Sequence, residues 1–135
     1  MQRHVRFVVA AVIAFVLPAC GGLESLSPTP FDEGIIFYIH SGFSGSSQQI
    51  NADIRDLGDV EGPCLEGSDD PAATWDDCIS SVRVLPGWGA TLFEDDEFRG
   101  ARVEITADTP DLKLLRGPCD ETYNDCISSI RVYRR

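Results

Sequence analysis

The chain contains one unit twice. "DDCISSVRVL" (76–85) and "NDCISSIRVY" (124–133) share seven of ten positions: Asp77, Cys78, Ile79, Ser80, Ser81, Arg83 and Val84 match Asp125, Cys126, Ile127, Ser128, Ser129, Arg131 and Val132. Upstream, "YIHSGFSG" (38–45) aligns with "FEDDEFRG" (93–100), an aromatic followed five positions later by Phe and seven positions later by Gly. "GPC" at 62–64 matches "GPC" at 117–119. The early landmarks are offset by 55 residues and the last by 48, so the first copy carries seven extra residues between its cysteines, in the polar stretch "LEGSDDPAATWDD". Insertion at one point of one copy is what a surface loop tolerates. A chain built this way folds as two copies of one supersecondary unit that bury their apolar faces on each other.

The local pattern is β. "GIIFYIH" and "ATLFED" are short, apolar and rich in branched or aromatic residues. "ARVEIT" and "SSIRVY" alternate, with Ile130 and Val132 on one face and Arg131 on the other. Glycine and proline punctuate at short intervals, and no segment carries a helical period. An all-β sandwich follows, with about four strands from each repeat.

The residues that recur are those of a known family. "TLFEDDEFRGARVEI" followed by "NDCISSIRV" closely resembles the βγ-crystallin motif, with its aromatic-x4-aromatic-x-Gly hairpin and its terminal (Asn/Asp)-(Asn/Asp)-x-x-(Ser/Thr)-Ser. The resemblance covers residues 34–134, with both signatures present twice and in order. It implies a βγ-crystallin-like sandwich of two four-stranded Greek-key motifs, repeat 1 over 34–86 and repeat 2 over 87–135. The glycine closing each hairpin is expected where a side chain would obstruct the backbone. The two hairpin aromatics are expected to form a corner, and Trp75 and Tyr123 to be core or loop-packing residues.

Residues 1–19 are expected to lie outside that domain. Arg3 and Arg6 precede the apolar run 7–17, which is short for a permanent span and ends in small residues, as an export signal does. Leu17-Pro18-Ala19-Cys20 resembles a bacterial lipoprotein box, which implies lipidation of Cys20 and a membrane anchor through it. Gly21, where inner-membrane retention has aspartate, implies the outer membrane; without lipidation the protein would be secreted. Residues 20–33, rich in Gly, Ser and Pro, read as a flexible tether.

Charge narrows the partners. The formal net charge is −11, and removal of the signal leaves nine basic against 22 acidic side chains. Phosphate binding needs clustered Lys and Arg, so nucleic acid is not an expected partner; a protein or polysaccharide partner is not specified. After the signal, His40 is the only histidine, and no nucleophile-and-base pairing is evident. The reading is non-catalytic.

Calcium takes six to eight oxygens from carboxylates, carbonyls, hydroxyls and water. The resemblance implies up to two Ca2+ sites, each drawing on both repeats. Asp77, Ser80, Asp125 and Ser128 would supply side-chain oxygens, Asp76 and Asn124 more, and Ile39 and Glu94 main-chain carbonyls. "EDDEF" is more acidic than "IHSGF", so the site using Glu94 is expected to bind tighter.

A thiolate in such a signature is the wrong ligand for calcium, but exported thiols oxidise. With Cys20 lipidated, one cysteine pair falls to each repeat, which gives disulfides Cys64–Cys78 and Cys119–Cys126. Each would clamp the loop before a terminal signature and lower the ordering cost of binding a cation. The expected function is a cell-envelope calcium-binding βγ-crystallin domain with a structural, stress or adhesion role. Two alternatives stay open. One is a secreted proteinase inhibitor on the same fold, with residues 65–74 as its recognition loop. The other is a carbohydrate-binding accessory module using Trp88.

Overall fold

A computed structural model describes residues 32–65 and 73–135. The expected signal, the lipidation position Cys20, most of the tether and residues 66–72 of the insertion lie outside the described residues.

Eight strands follow in chain order: β1 (Ile35–His40), β2 (Ser44–Ile50), β3 (Glu61–Cys64), β4 (Ser81–Val84), β5 (Trp88–Asp95), β6 (Arg99–Ile105), β7 (Arg116–Cys119) and β8 (Ser129–Arg134). They form two antiparallel sheets, ordered β2-β1-β4 and β6-β5-β8. Each repeat thus supplies four strands, but only three of them join its sheet. The third strand instead folds back on the segment before the terminal signature, with Cys64 bridged to Thr74 and Cys119 to Thr122.

The outer edge of each sheet is met by the other repeat. Ile54 bridges Ile130 of β8, and Thr109 bridges Val82 of β4. Leu57 N–H then donates to the Ser128 carbonyl at 2.8 Å, and Leu112 N–H to the Ser80 carbonyl at 2.9 Å. This exchange interlocks the repeats, so neither sheet's edge is complete without the other repeat's chain.

Alternation explains the core. In β1, Ile35 and Phe37 point inward and are fully buried; in β5, Ala90 and Leu92 do the same. Val82, Ile105, Ile130 and the two 3-10 residues Leu57 and Leu112 close the space between the sheets. Trp75 packs edge-on against Phe37, ring centroids 4.8 Å apart, and Tyr123 holds the matching place in repeat 2; both are buried. β2, "SGSSQQI", is an edge strand whose first four residues are exposed and small or polar, a composition that gives no apolar template for another chain.

The hairpin signature folds over as expected. Tyr38 meets Phe43 at 5.8 Å and Phe93 meets Phe98 at 5.7 Å between ring centroids. Arg83 lies over Phe43, and Arg131 over Phe98. The closing glycines, Gly45 and Gly100, have φ of +79° and +74°. A Cβ there would approach His40 Cδ2 to 2.6 Å and Asp95 Oδ2 to 2.8 Å.

Candidate cation clefts

The two serines that end each signature have different work. The second, Ser81 or Ser129, is fully buried and stitches its repeat's hairpin. Ser81 Oγ donates to the His40 carbonyl at 2.6 Å and accepts from Phe43 N–H at 3.1 Å. Ser129 Oγ donates to the Asp95 carbonyl at 2.6 Å and accepts from Phe98 N–H at 3.0 Å. A side-chain hydroxyl is needed there because the register shift between Tyr38 and His40, and between Phe93 and Asp95, takes these backbone groups out of the ladder.

The first serine, Ser80 or Ser128, faces a cleft. Its N–H is held by the first hairpin aromatic, Ser80 to the Tyr38 carbonyl at 2.9 Å and Ser128 to the Phe93 carbonyl at 3.0 Å. That fixes each hydroxyl beside the hairpin residue that follows, Ile39 or Glu94. The signatures also bond each other: Asp77 N–H donates to the Ile127 carbonyl and Asp125 N–H to the Ile79 carbonyl, both at 3.1 Å. The acidic position of one repeat therefore lies against the serine of the other. Asp77 and Asp125 sit at φ of +47° and +50°, a left-handed turn that Asp tolerates better than most residues.

One cleft is lined by Ile39, His40, Ser41 and Ser80 from repeat 1 and by Lys113, Asn124 and Asp125 from repeat 2. Ser80 Oγ donates to Asp125 Oδ1 at 3.3 Å, and Asn124 Nδ2 donates to Asp125 Oδ2 at 2.6 Å. The opposite cleft is lined by Asp56, Gly58, Asp59 and Asp76 of repeat 1 and by Asp95, Asp96, Arg99 and Ser128 of repeat 2. Neither Asp77 nor Glu94 lines this acidic cleft; Asp77 N–H bonds the Ile127 carbonyl, and Glu94 follows Phe93, whose carbonyl holds Ser128. The Glu94 carboxylate instead accepts from Ala101 N–H at 3.1 Å.

Asp56, Asp59, Asp95 and Asp96 enlarge the acidic set beyond the residues read from the sequence. Arg99 ion-pairs with Asp96 inside it. At its rim Arg55 and Glu97 meet at 2.5 Å, and the hydrogen bond from Arg55 holds the Glu97 carboxyl below its ordinary range.

Among the described residues, no three or more His, Cys, Asp or Glu stand together closely enough to hold a metal by themselves. The donors available are mixed oxygens: carboxylate, carboxamide, hydroxyl and main-chain carbonyl. Two atoms bear on whether a cation fits. Asp76 Oδ1 and Asn124 Oδ1, equivalent in the two repeats, are buried and have no hydrogen-bond partner. A buried oxygen without a partner is costly, and here two of them adjoin the clefts symmetrically. The set fits a hard cation and not zinc.

Each signature is stapled. Cys64 and Cys78 stand at disulfide distance with Cα atoms 6.3 Å apart, and Cys119 and Cys126 with theirs 5.8 Å apart. Each bond pins the residue next to Asp77 or Asp125 to its repeat's third strand. Trp88, the aromatic considered for a sugar platform, is 7 % exposed with the Arg134 guanidinium 4.6 Å from its ring centre, so it offers no stacking face.

No protein-family model matches the chain. It is 30 % identical over 111 residues to Spherulin-3A of Physarum polycephalum, covering 81 % of this chain and 90 % of that protein. Its structure is similar to a βγ-crystallin domain from Flavobacterium johnsoniae, at 28 % identity and TM-score 0.54, covering 75 % of this chain and 94 % of that one. It is also similar to a structure solved in work on the evolution of the eye-lens βγ-crystallin domain fold, at 27 % identity and TM-score 0.59, covering 82 % and 94 %. With two hairpin signatures, two terminal signatures and interlocked Greek-key repeats, the chain belongs to the βγ-crystallin family.

Proposed function

We propose that this protein is a non-catalytic, calcium-binding βγ-crystallin domain held at the cell envelope by a lipid on Cys20, where the ion stabilises the fold. The observation that carries the reading is the symmetric pair of clefts. Each is lined by a signature serine of one repeat and an acidic signature residue of the other, Ser80 with Asp125 and Ser128 with Asp76, and a buried, partnerless oxygen adjoins each (Asp76 Oδ1 and Asn124 Oδ1). A cation bridging the repeats satisfies those oxygens and strengthens the interlock between the sheets. The acidic cleft is the tighter site, because carboxylates there outnumber the single guanidinium.

Calorimetric titration of the oxidised, metal-free protein with calcium tests this, with thermal melts in calcium or chelator beside it. Two binding events and a raised melting temperature support the reading; no heat and no thermal shift sink it. Asp77→Ala should abolish the tighter event and Asp125→Ala the weaker one, and equal residual affinities in the two variants would contradict the assigned order. Labelled palmitate incorporation that is lost in Cys20→Ser tests the anchor.

A further inference from the structure

We propose that Lys113 sets the affinity of the cleft formed by Ile39, Ser80 and Asp125, keeping it weaker than the acidic cleft, so that divalent cations fill the domain in two separated steps. This assignment rests on the calcium reading above and names the residue that regulates one of its sites.

The two clefts are entered from equivalent places by equivalent chain. Leu57 and Leu112 are both fully buried, and each donates its N–H to the carbonyl of the first signature serine of the other repeat. Asp56 Oδ1 caps Gly58 N–H at 2.7 Å, and Asp111 Oδ1 caps Lys113 N–H at 2.9 Å. The next residue therefore lines its cleft in both repeats. In repeat 1 that residue is Gly58, which brings no side chain. In repeat 2 it is Lys113, a cationic residue lining the same cleft as Asp125 and also the adjoining hollow with Asp120 and Asn124.

The acidic cleft holds a cation too, but Arg99 is matched by Asp96 and surrounded by four further carboxylates. Lys113 has one carboxylate, Asp125, in its cleft and no ion pair among the described residues. It is exposed. It repels an incoming dication that enters the cleft. Across several ångströms of partly aqueous space, that repulsion weakens binding by about three- to tenfold at low salt.

The test is calcium titration at low ionic strength of Lys113→Gln, Lys113→Gly and Lys113→Arg. Amide resonances of Ser80 and Ser128 report which cleft fills. The Gln and Gly variants should tighten the Ser80 step about three- to tenfold and leave the Ser128 step within about twofold, while Arg retains the wild-type order. Equal melting temperatures in chelator show that the variants fold alike, as an exposed position should allow. An unchanged Ser80 step, or an equal shift at both clefts, overturns the role of Lys113 and leaves the calcium reading standing. Absence of calcium binding in wild type and variants alike overturns that reading itself.

Discussion

Replacing Cys119 and Cys126 together by alanine removes the staple of repeat 2 and leaves that of repeat 1. The bond closes a short ring, with a sequence separation of 7, against 14 for Cys64–Cys78. In the loop-entropy model these closures stabilise the fold by about 2.5 and about 3 kcal/mol. For a domain near 100 residues, 1 kcal/mol moves the melting temperature by about 4–8 °C, so the repeat 2 variant should melt about 10–20 °C lower. Part of the loss can appear locally, because Cys126 follows Asp125, and the turn would then be held only by its own hydrogen bonds. Those include Asp125 N–H to the Ile79 carbonyl, Asn124 N–H to Thr122 Oγ1 at 3.2 Å, and the side-chain bonds of Ser80 and Asn124 to Asp125. Any loosening of that turn weakens calcium at the Asp125 cleft and not at the Asp77 cleft, and the stability lost in chelator and the affinity lost should together come to about 2.5 kcal/mol. Urea unfolding in chelator measures the first quantity and calcium titration the second. A combined loss, stability in chelator plus calcium affinity, below about 1 kcal/mol would refute the clamp argument. So would equal weakening of both clefts, since the other staple is untouched.

Removing one stitching hydroxyl, in Ser81→Ala or Ser129→Ala, leaves a part-buried carbonyl and amide without their partner. Each should cost about 1–3 kcal/mol in urea unfolding without abolishing either calcium step. Trp75→Ala opens a cavity beside Phe37 and should cost about 3–5 kcal/mol by the same assay. Burial, with the Glu94 charge adding to it, raises the Tyr123 phenol above its ordinary range. Its contribution is full below the unfolded-state pKa and is lost as pH rises through the folded one. Stability should therefore fall on the alkaline side, and Tyr123→Phe should flatten that limb while leaving neutral pH largely unaffected, as read by melts across pH. Raising salt should weaken the acidic cleft more than the cleft holding Lys113, which titration at two ionic strengths will show.

The parts of the fold legible in the sequence were those written locally. Alternation in "GIIFYIH" and "ATLFED" marks the strands, and the hairpin glycines mark backbone with positive φ. The identity of 77–81 with 125–129 marks the two turns that face each other. The exchange that completes the sheet edges was not legible, because residues 51–57 and 107–112 carry no period of their own. They are held by bridges at Ile54 and Thr109, by backbone bonds from Leu57 and Leu112 and to Arg55 and Pro110, and by the Asp53 and Asp108 carboxylates, all contacts with the other repeat or its hairpin that no local pattern announces. Yet the repeat offset of 55 residues also aligns Asp56-Leu57 with Asp111-Leu112, a signal that could have brought Asp56, Asp59 and Lys113 to the clefts in advance. Symmetry at that level fixes where the clefts lie, because the capping aspartate, the buried leucine and the paired serines recur. The charge each cleft carries lies in the positions that do not recur: Gly58 against Lys113, Asp95 against His40, Asp96 against Ser41. Two copies of one scaffold thus hold two electrostatically different clefts. The difference lies in residues at strand ends and in the tight segments between strands, while the leucines and the second serines beneath them are buried in the packing.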